Sequence, residues 1–235
     1  MPKQTEVMVE KRNYKEKLIE LMAASGVLMF GDFTTKSGRQ SPYFINSGKF
    51  QTGEHIGQIS EYYAALIHEK LEGAFDVLFG PAYKAIPLCT LTAAALFRLY
   101  GINVGYSFNR KEAKGHGDGG LFVGHQPRDG DRFVIIEDVI SAGTSVREVH
   151  SLLKAAADVS ITDMVISVDR MEKGYKGLTA VDEMKQEFGI TVHSLVTVIE
   201  IMNHLHNREV GGKVFINDDI REKMEAYLRK YCVGY

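Results

Sequence analysis

The fold is decided by residues 134–145, which read VIIEDVISAGTS. The first three residues are apolar, as in a strand buried on both faces, and two carboxylates, Glu137 and Asp138, follow them directly. A loop of small residues then leads into Thr144–Ala156, which we predict to be a helix. Such a strand–loop–helix unit is the building block of a parallel sheet covered by helices.

The same alternation of strands and helices extends outward along the chain. Strands are predicted at 77–79, 103–108, 133–136, 161–168 and 191–198, and helices at 56–67, 85–99, 144–156, 179–188 and 218–231. This order implies right-handed crossovers and an α/β fold, with a parallel central sheet flanked by helices. Residues 14–24 (a helix) and two short extended stretches precede this pattern. We therefore expect a single domain over residues 1–235, in which approximately residues 1–50 form a small appended cap.

Composition and charge exclude several classes of protein. The chain has 235 residues, 45% hydrophobic and 25% charged, as in ordinary soluble globular proteins. Lys and Arg total 28 against 30 for Asp and Glu, so the basic surplus of a nucleic-acid-binding protein is absent. The two cysteines, Cys89 and Cys232, form no CxxC pair, and we find neither a signal peptide nor a membrane span. We expect a cytoplasmic protein without nucleic-acid or membrane partners.

The loop at 137–145 combines two kinds of recognition. Free backbone N–H groups at a helix N-terminus favour an anion, and the hydroxyls of Ser141 and Thr144 add donors. Carboxylates accept hydrogen bonds from sugar hydroxyls or hold a metal. A ribose 5-phosphate would suit both kinds of group, because its phosphate would bind the N–H and hydroxyl donors and its hydroxyls would bind the carboxylates. The alternative is that Ser141 and Thr144 only cap the helix while Glu137 and Asp138 lie in solvent.

A second loop, residues 110–120, reads RKEAKGHGDGG. Three permanent cations, one histidine and a run rich in glycine are suited to a mobile loop that closes over a polyphosphate and excludes water. A solvated surface loop is the alternative. Gly115, Gly117 and Gly120 match the dinucleotide pattern GxGxxG, but no helix is predicted after them, so that interpretation fails.

Three further stretches of the sequence are weaker candidates for ligand or metal binding. Residues 80–84, GPAYK, follow a predicted strand and either meet a diphosphate or simply connect strand to helix. Arg170, just after another strand, either grips a ligand carboxylate bidentately or forms a structural ion pair. His204 and His206 lie near Glu200, but their spacing does not indicate a tetrahedral metal site.

Together these loops resemble type I phosphoribosyltransferases, and more narrowly the orotate phosphoribosyltransferases. Residues 137–145 resemble the phosphoribosyl-diphosphate motif of the family, and residues 110–120 resemble the lid of the orotate enzymes. Residues 33–46, FTTKSGRQSPYFIN, are similar to the family's amino-terminal stretch FTLKSGRxSPYFxN. The motifs occur in family order from Lys36 to Arg170.

The resemblance implies transfer of a 5-phosphoribosyl group from phosphoribosyl diphosphate to orotate, giving orotidine 5'-phosphate in pyrimidine (UMP) biosynthesis. The catalytic residues it implies are Lys36, Lys111, Lys114 and Asp138. The phosphoribosyl-diphosphate-binding residues it implies are Lys36, Tyr83, Lys84, Arg110, Lys111, Lys114, His116, Glu137, Asp138, Val139, Ile140, Ser141, Ala142, Gly143, Thr144 and Ser145. The orotate-binding residues it implies are Phe44, Ile45, Ser141 and Arg170.

The resemblance also implies Mg2+, held mainly by the diphosphate and the ribose hydroxyls with no dedicated cage of protein ligands. It implies a homodimer in which the lid reaches the neighbouring site, and a cap, or hood, over the active site formed by approximately residues 1–50. Two positions depart from the family pattern: Ile45 stands where a second phenylalanine is frequent, and Ser141 where threonine is usual. Two alternatives stay open, a regulator that only senses phosphoribosyl diphosphate and a purine phosphoribosyltransferase.

Overall fold

A computed structural model describes residues 14–35, 38–112, 120–140, 143–174 and 177–235 of the chain. Its helices are α1 (Tyr14–Ala24), α2 (Gly53–Leu71), α3 (Ala85–Tyr100), α4 (Thr144–Ala156), α5 (Ala180–Phe188), α6 (Val198–Leu205) and α7 (Asp218–Tyr231). Its strands are β1 (Leu28–Thr34), β2 (Gln40–Ile45), β3 (Val77–Phe79), β4 (Gly105–Asn109), β5 (Phe122–Gly124), β6 (Arg132–Ile136), β7 (Ser160–Asp169), β8 (Thr191–Thr197), β9 (Glu209–Val210) and β10 (Lys213–Val214). A short 3-10 helix, Ser47–Lys49, follows β2.

The central sheet has six strands in the order β5-β4-β3-β6-β7-β8. Five of them are parallel, which confirms the predicted α/β fold with a central parallel sheet. The edge strand β5 is an exception, since it pairs antiparallel with β4. A parallel partner would need a crossover, usually a helix, and the glycine-rich stretch between β4 and β5 does not favour one.

The core lies on both faces of this sheet because the side chains of β6 alternate between them. Phe133 and Ile135 pack in the cluster that includes α4 and α5, while Val134 and Ile136 belong to the cluster that includes the other helices. All four side chains are buried. The apolar run at 133–136 therefore has the double-sided burial that its sequence predicts.

The first strands form a separate hairpin beside the sheet. Strands β1 and β2 pair antiparallel, with Leu28 opposite Ile45. The hairpin packs against α7, where the rings of Tyr43 and Tyr227 lie edge to face with centroids 5.8 Å apart. The C-terminal helix thus supports the region that the sequence predicts as an N-terminal cap.

The two cysteines are free and buried. Cys89 lies in α3 and Cys232 directly follows α7. Burial raises the pKa of each thiol to about 12. Within the described ranges, no helix has the length and apolar character needed to cross a membrane.

Candidate functional site

The two adjacent carboxylates lie at the carboxyl end of β6, held by neighbouring elements through their backbone. The Glu137 N–H donates to the Val165 carbonyl at 3.0 Å, and the Asp138 carbonyl accepts from Ser167 N–H at 2.9 Å and from its hydroxyl at 2.5 Å. From α2, the buried Tyr63 hydroxyl donates to the Glu137 carbonyl at 2.7 Å. The backbone of the pair is therefore rigidly placed where ligands of parallel sheets bind.

The two carboxylates have different surroundings. Glu137 is buried, and this burial, with the charge of Asp138 as the second cause, raises its pKa to about 8. Asp138 instead accepts a hydrogen bond from the Ser47 hydroxyl, and Lys84 Nζ lies 4.0 Å from its Oδ2. The raised pKa favours the neutral form of the Glu137 carboxyl, which can both donate and accept hydrogen bonds.

The loop that follows leads into α4 through Gly143. Val139 forms an isolated parallel β-bridge with Val168, and the side chain of Ile140 is buried. A ligand could therefore contact these two residues mainly through their backbone groups. Gly143 caps α4 with φ +69, and a Cβ there would lie 2.6 Å from Met184 Cε. Glycine therefore suits this position. Because the capping residue has no side chain, the first N–H groups of α4 receive no side-chain cap from it.

The loop at 80–84 is held at Gly80 and at Ala82. Gly80 lies so close to α3 that a Cβ would be 2.5 Å from Cys89 Cβ, which explains the need for glycine. The Ala82 N–H donates to Asn109 Oδ1 at 3.0 Å. The loop thus lies beside the end of β4.

Lys111 and Tyr83 come together from two different loops. Lys111 Nζ lies 5.0 Å from the centroid of the Tyr83 ring, which is 63% exposed. The neighbouring Lys84 is exposed, and its Nζ lies 4.0 Å from Asp138 Oδ2. Arg110 Nη1 donates a hydrogen bond to the Gly120 carbonyl at 2.9 Å. This bond holds Arg110 and Gly120, the first and last residues of the 110–120 loop, close to each other. The structure therefore brings Lys111 to Tyr83 and Lys84 to Asp138.

The predicted pyrimidine side is built on β2. Phe44 stacks on Phe33 with centroids 5.6 Å apart. Ile45 is buried in the core, so only its backbone is available to a ligand. Arg170 lies over the ring of Tyr43 at 4.7 Å, and its Nε and Nη2 donate to Glu172 Oε1 at 2.9 and 2.6 Å. The structural ion pair considered for Arg170 is therefore present, and its contact with orotate stays a prediction.

Some predicted residues cannot be placed. Outside the described residues lie Lys36, Lys114, His116, Ser141 and Ala142. Ser145 is exposed in the first turn of α4, and its hydroxyl lowers the pKa of Glu137, opposing the effect of burial. Thr144 is the first residue of α4.

In the part of the chain that the structure describes, no group of three or more His, Cys, Asp or Glu residues could hold a metal ion. His204 pairs with Glu20 at 3.0 Å, and His206 pairs with Asp218 at 2.8 Å. These pairs account for the histidines near Glu200 without a metal.

Several site residues were not predicted from the sequence. Ser47 directly follows the motif at 33–46, so its position was a signal, whereas Tyr63 and Ser167 lie in elements that show only their apolar pattern. Their contacts with residues 137–138 span many positions of the chain. Such contacts become visible only in the folded structure.

One short segment joins the two halves of the site. Tyr43 lies under Arg170, and Ser47, four residues later, donates to Asp138. Four extended residues span at most about 13 Å. The cation Arg170 and the carboxylate Asp138 are therefore contacted from the two ends of one short segment.

Comparison with known proteins shows the family of this chain. The phosphoribosyl transferase domain matches residues 47–197. An orotate phosphoribosyltransferase of Clostridium acetobutylicum is 46% identical over 220 residues, which is 94% of this chain and 98% of that protein. The chain belongs to the orotate phosphoribosyltransferase family.

Other members of the orotate phosphoribosyltransferase family give the same result. The Nitrosococcus oceani enzyme is 45% identical over 94% of this chain and 97% of its own length. The crystal structure of the Francisella tularensis orotate phosphoribosyltransferase superposes with a TM-score of 0.77 at 35% identity, covering 92% of this chain and all of that one. The β1–β2 hairpin precedes the general domain match, yet it lies inside the alignment with the Clostridium relative.

Proposed function

We propose that the protein transfers the 5-phosphoribosyl group of phosphoribosyl diphosphate to orotate, giving orotidine 5'-phosphate and diphosphate, in the synthesis of UMP. The observation that carries this proposal is the segment from Tyr43 to Ser47, which touches Arg170 at one end and Asp138 at the other. A base carrying a carboxylate fits the first end and a ribose fits the second. The names of the relatives support the same reaction.

The carboxylates bind the sugar. Glu137 and Asp138 accept hydrogen bonds from the ribose 2- and 3-hydroxyls, and the backbone from Val139 to Ser145 binds the 5-phosphate at the N-terminus of α4. As the bond from C1 to diphosphate breaks, the ribose becomes cation-like, and the Asp138 carboxylate stabilises that charge more than it stabilises the ground state. No covalent nucleophile is required.

The cations bind the leaving group. Tyr83, Lys84 and Lys111 lie on the side where the diphosphate departs, and Lys36, Arg110, Lys114 and His116 complete the set in this proposal. The gathered charge stabilises the negative diphosphate in the transition state. In this proposal Mg2+ is carried mainly by oxygens of the substrate. When bound, Mg2+ neutralises part of the charge of the diphosphate.

Orotate binds on the hairpin side. The Arg170 guanidinium pairs with its carboxylate, Phe44 and the backbone of Ile45 contact the ring, and Ser141 lies nearby. Ring contact by Phe44 is supported by its partly exposed stack on Phe33. The ring nitrogen then forms a bond to C1 in place of the bond to diphosphate, and the proton of that nitrogen is released to the departing diphosphate or to solvent.

The decisive experiment follows the loss of orotate absorbance in the ultraviolet with purified protein, phosphoribosyl diphosphate and Mg2+. Adenine and hypoxanthine run beside it as competing bases. Turnover of orotate alone supports the proposal. Turnover of a purine supports a purine phosphoribosyltransferase instead, and binding of phosphoribosyl diphosphate without turnover of any base supports the sensing regulator.

The protein also forms a homodimer in this proposal, with the lid of one copy closing on the site of the other. Exposed apolar side chains on and beside α3 support it: Tyr83, Leu91, Phe97, Leu99 and, on β4, Tyr106. A second copy of the chain is the occupant we propose, because Tyr83 belongs both to this surface and to the site. A cytoplasmic location stays a prediction from the sequence.

A further inference from the structure

A cluster of charged and aromatic residues surrounds the Arg170 guanidinium. Glu172 Oε1 accepts from Nε and Nη2 of Arg170 and from the Tyr227 hydroxyl at 2.8 Å. Its other oxygen, Oε2, accepts from Arg39 Nη1 at 3.3 Å, and Arg39 Nη2 also donates to the Lys173 carbonyl at 2.9 Å. The cluster therefore joins the hairpin segment, the residues after β7, and α7.

The charges of this cluster do not cancel. Arg39 and Arg170 contribute two positive charges, and Glu172 contributes one negative charge. The side chains of Arg170 and Glu172 are only 12% and 18% exposed. A surplus positive charge in a poorly hydrated position favours an anionic partner, because burial of an uncompensated ion is costly.

The hydrogen bonds of Arg170 leave one edge of its guanidinium for a ligand. Both bonds to Glu172 use the edge formed by Nε and Nη2. Within the described part of the chain, Nη1 donates no hydrogen bond. The planar guanidinium can bind a second carboxylate through its remaining edge, and the stack on Tyr43 holds its plane.

We infer that Glu172 is a positioning residue: it fixes the Arg170 guanidinium so that the free edge receives the carboxylate of orotate, and Tyr227 of α7 and Arg39 hold Glu172 in place. This inference rests on the proposed function, since it concerns the specificity of the same site. Glu172 itself does not touch the substrate. The C-terminal helix thereby contributes to orotate recognition through one hydroxyl.

The Glu172→Ala variant separates positioning from simple charge balance. Removal of the carboxylate raises the net charge of the cluster, so an effect of charge alone would strengthen orotate binding and lower its KM. Loss of positioning instead raises the orotate KM, by at least about tenfold, because Arg170 loses its bidentate partner. The KM for phosphoribosyl diphosphate is expected to stay within about twofold, since none of its proposed ligands among the described residues contacts Glu172. An unchanged or lower orotate KM in the folded variant overturns the inference.

The Tyr227→Phe variant keeps the ring packing and removes only the hydroxyl that bonds Glu172. We expect the orotate KM to rise about threefold with kcat nearly unchanged, as for one lost hydrogen bond to a charged group. Tyr231→Phe is the matched control on the same helix, because its hydroxyl makes no hydrogen bond to the described residues. Equal orotate KM values in the two variants would refute the role of α7.

A comparison of ligands completes the design. Uracil has the ring of orotate without the carboxylate, so its inhibition constant should be the same in the wild-type protein and in Glu172→Ala. General damage to the pocket would weaken uracil and orotate alike and would overturn the inference. If the wild-type protein does not convert orotate at all, the proposed function fails first. If it does and the variants match it, only the positioning role fails.

Discussion

At the scale of single residues, the proton of Glu137 links the site to pH. Its ordinary pKa of 4.5 rises to about 8 in the folded protein, chiefly through burial. Between these values the folded chain binds more protons than the unfolded chain. The stability contributed by this group is therefore fully present below pH 4.5 and is lost as the pH rises toward 8.

The Glu137→Gln variant tests this linkage. Glutamine keeps the neutral shape but does not titrate, so its free energy of unfolding should fall less between pH 5 and pH 8 than that of the wild-type protein. The difference can reach at most about 1.4 kcal/mol per pH unit. Urea unfolding at each pH measures it. Parallel profiles for the two proteins would contradict the raised pKa.

The residues of the site show how far sequence reasoning reaches. Glu137, Asp138 and Arg170 are predictable because each follows an apolar strand directly. The partners of Arg170 are harder to find: Glu172 is two positions away, but Tyr227 and Arg39 are brought to it only by folding. Long-range pairs leave no periodic signal in a single sequence.

At the scale of elements, the turn after β2 connects the hairpin to the ribose side. Ser47 begins the 3-10 helix, and its hydroxyl orients Asp138. We expect Ser47→Ala to raise the KM for phosphoribosyl diphosphate about tenfold, as for a lost hydrogen bond to a charged group. Initial rates with varied phosphoribosyl diphosphate measure this. Ser151→Ala, at an exposed position of α4, is the control, and a similar KM in both variants would be inconsistent with the role given to Ser47.

The elements differ in how well their bounds follow from the sequence. Helix α4, strand β3 and helix α7 have the bounds that are predicted, since clear changes in residue pattern mark their ends. Helix α6 is not predicted, because the apolar residues of Val198–Leu205 continue those of β8 without a break. There the capping box of Thr197 and Glu200 decides where the strand ends and the helix begins.

At the scale of the whole molecule, the proposed dimer can be tested on α3. Leu91→Asp places a charge among exposed apolar side chains and should produce monomers with reduced turnover of orotate, because each site lacks its partner's lid. Light scattering after size-exclusion chromatography, together with the rate assay, measures both effects. Val214→Asp changes an equally exposed apolar residue on β10 and should change neither. A fully active monomer would show that each copy completes its own site.

Alkylation of the two buried thiols can report how often different parts of the molecule open transiently. With a pKa of about 12, neither sulfur is a thiolate at neutral pH, so an alkylating reagent modifies only chains that have opened locally or unfolded. Cys232 follows the terminal helix, whereas Cys89 lies within α3 against the loop at Gly80. We expect Cys232 to be labelled first, at the rate at which α7 detaches, and Cys89 only at the slower rate of global unfolding. Mass spectrometry over time would then show whether bound orotate slows the opening of the C-terminal helix separately from that of the sheet.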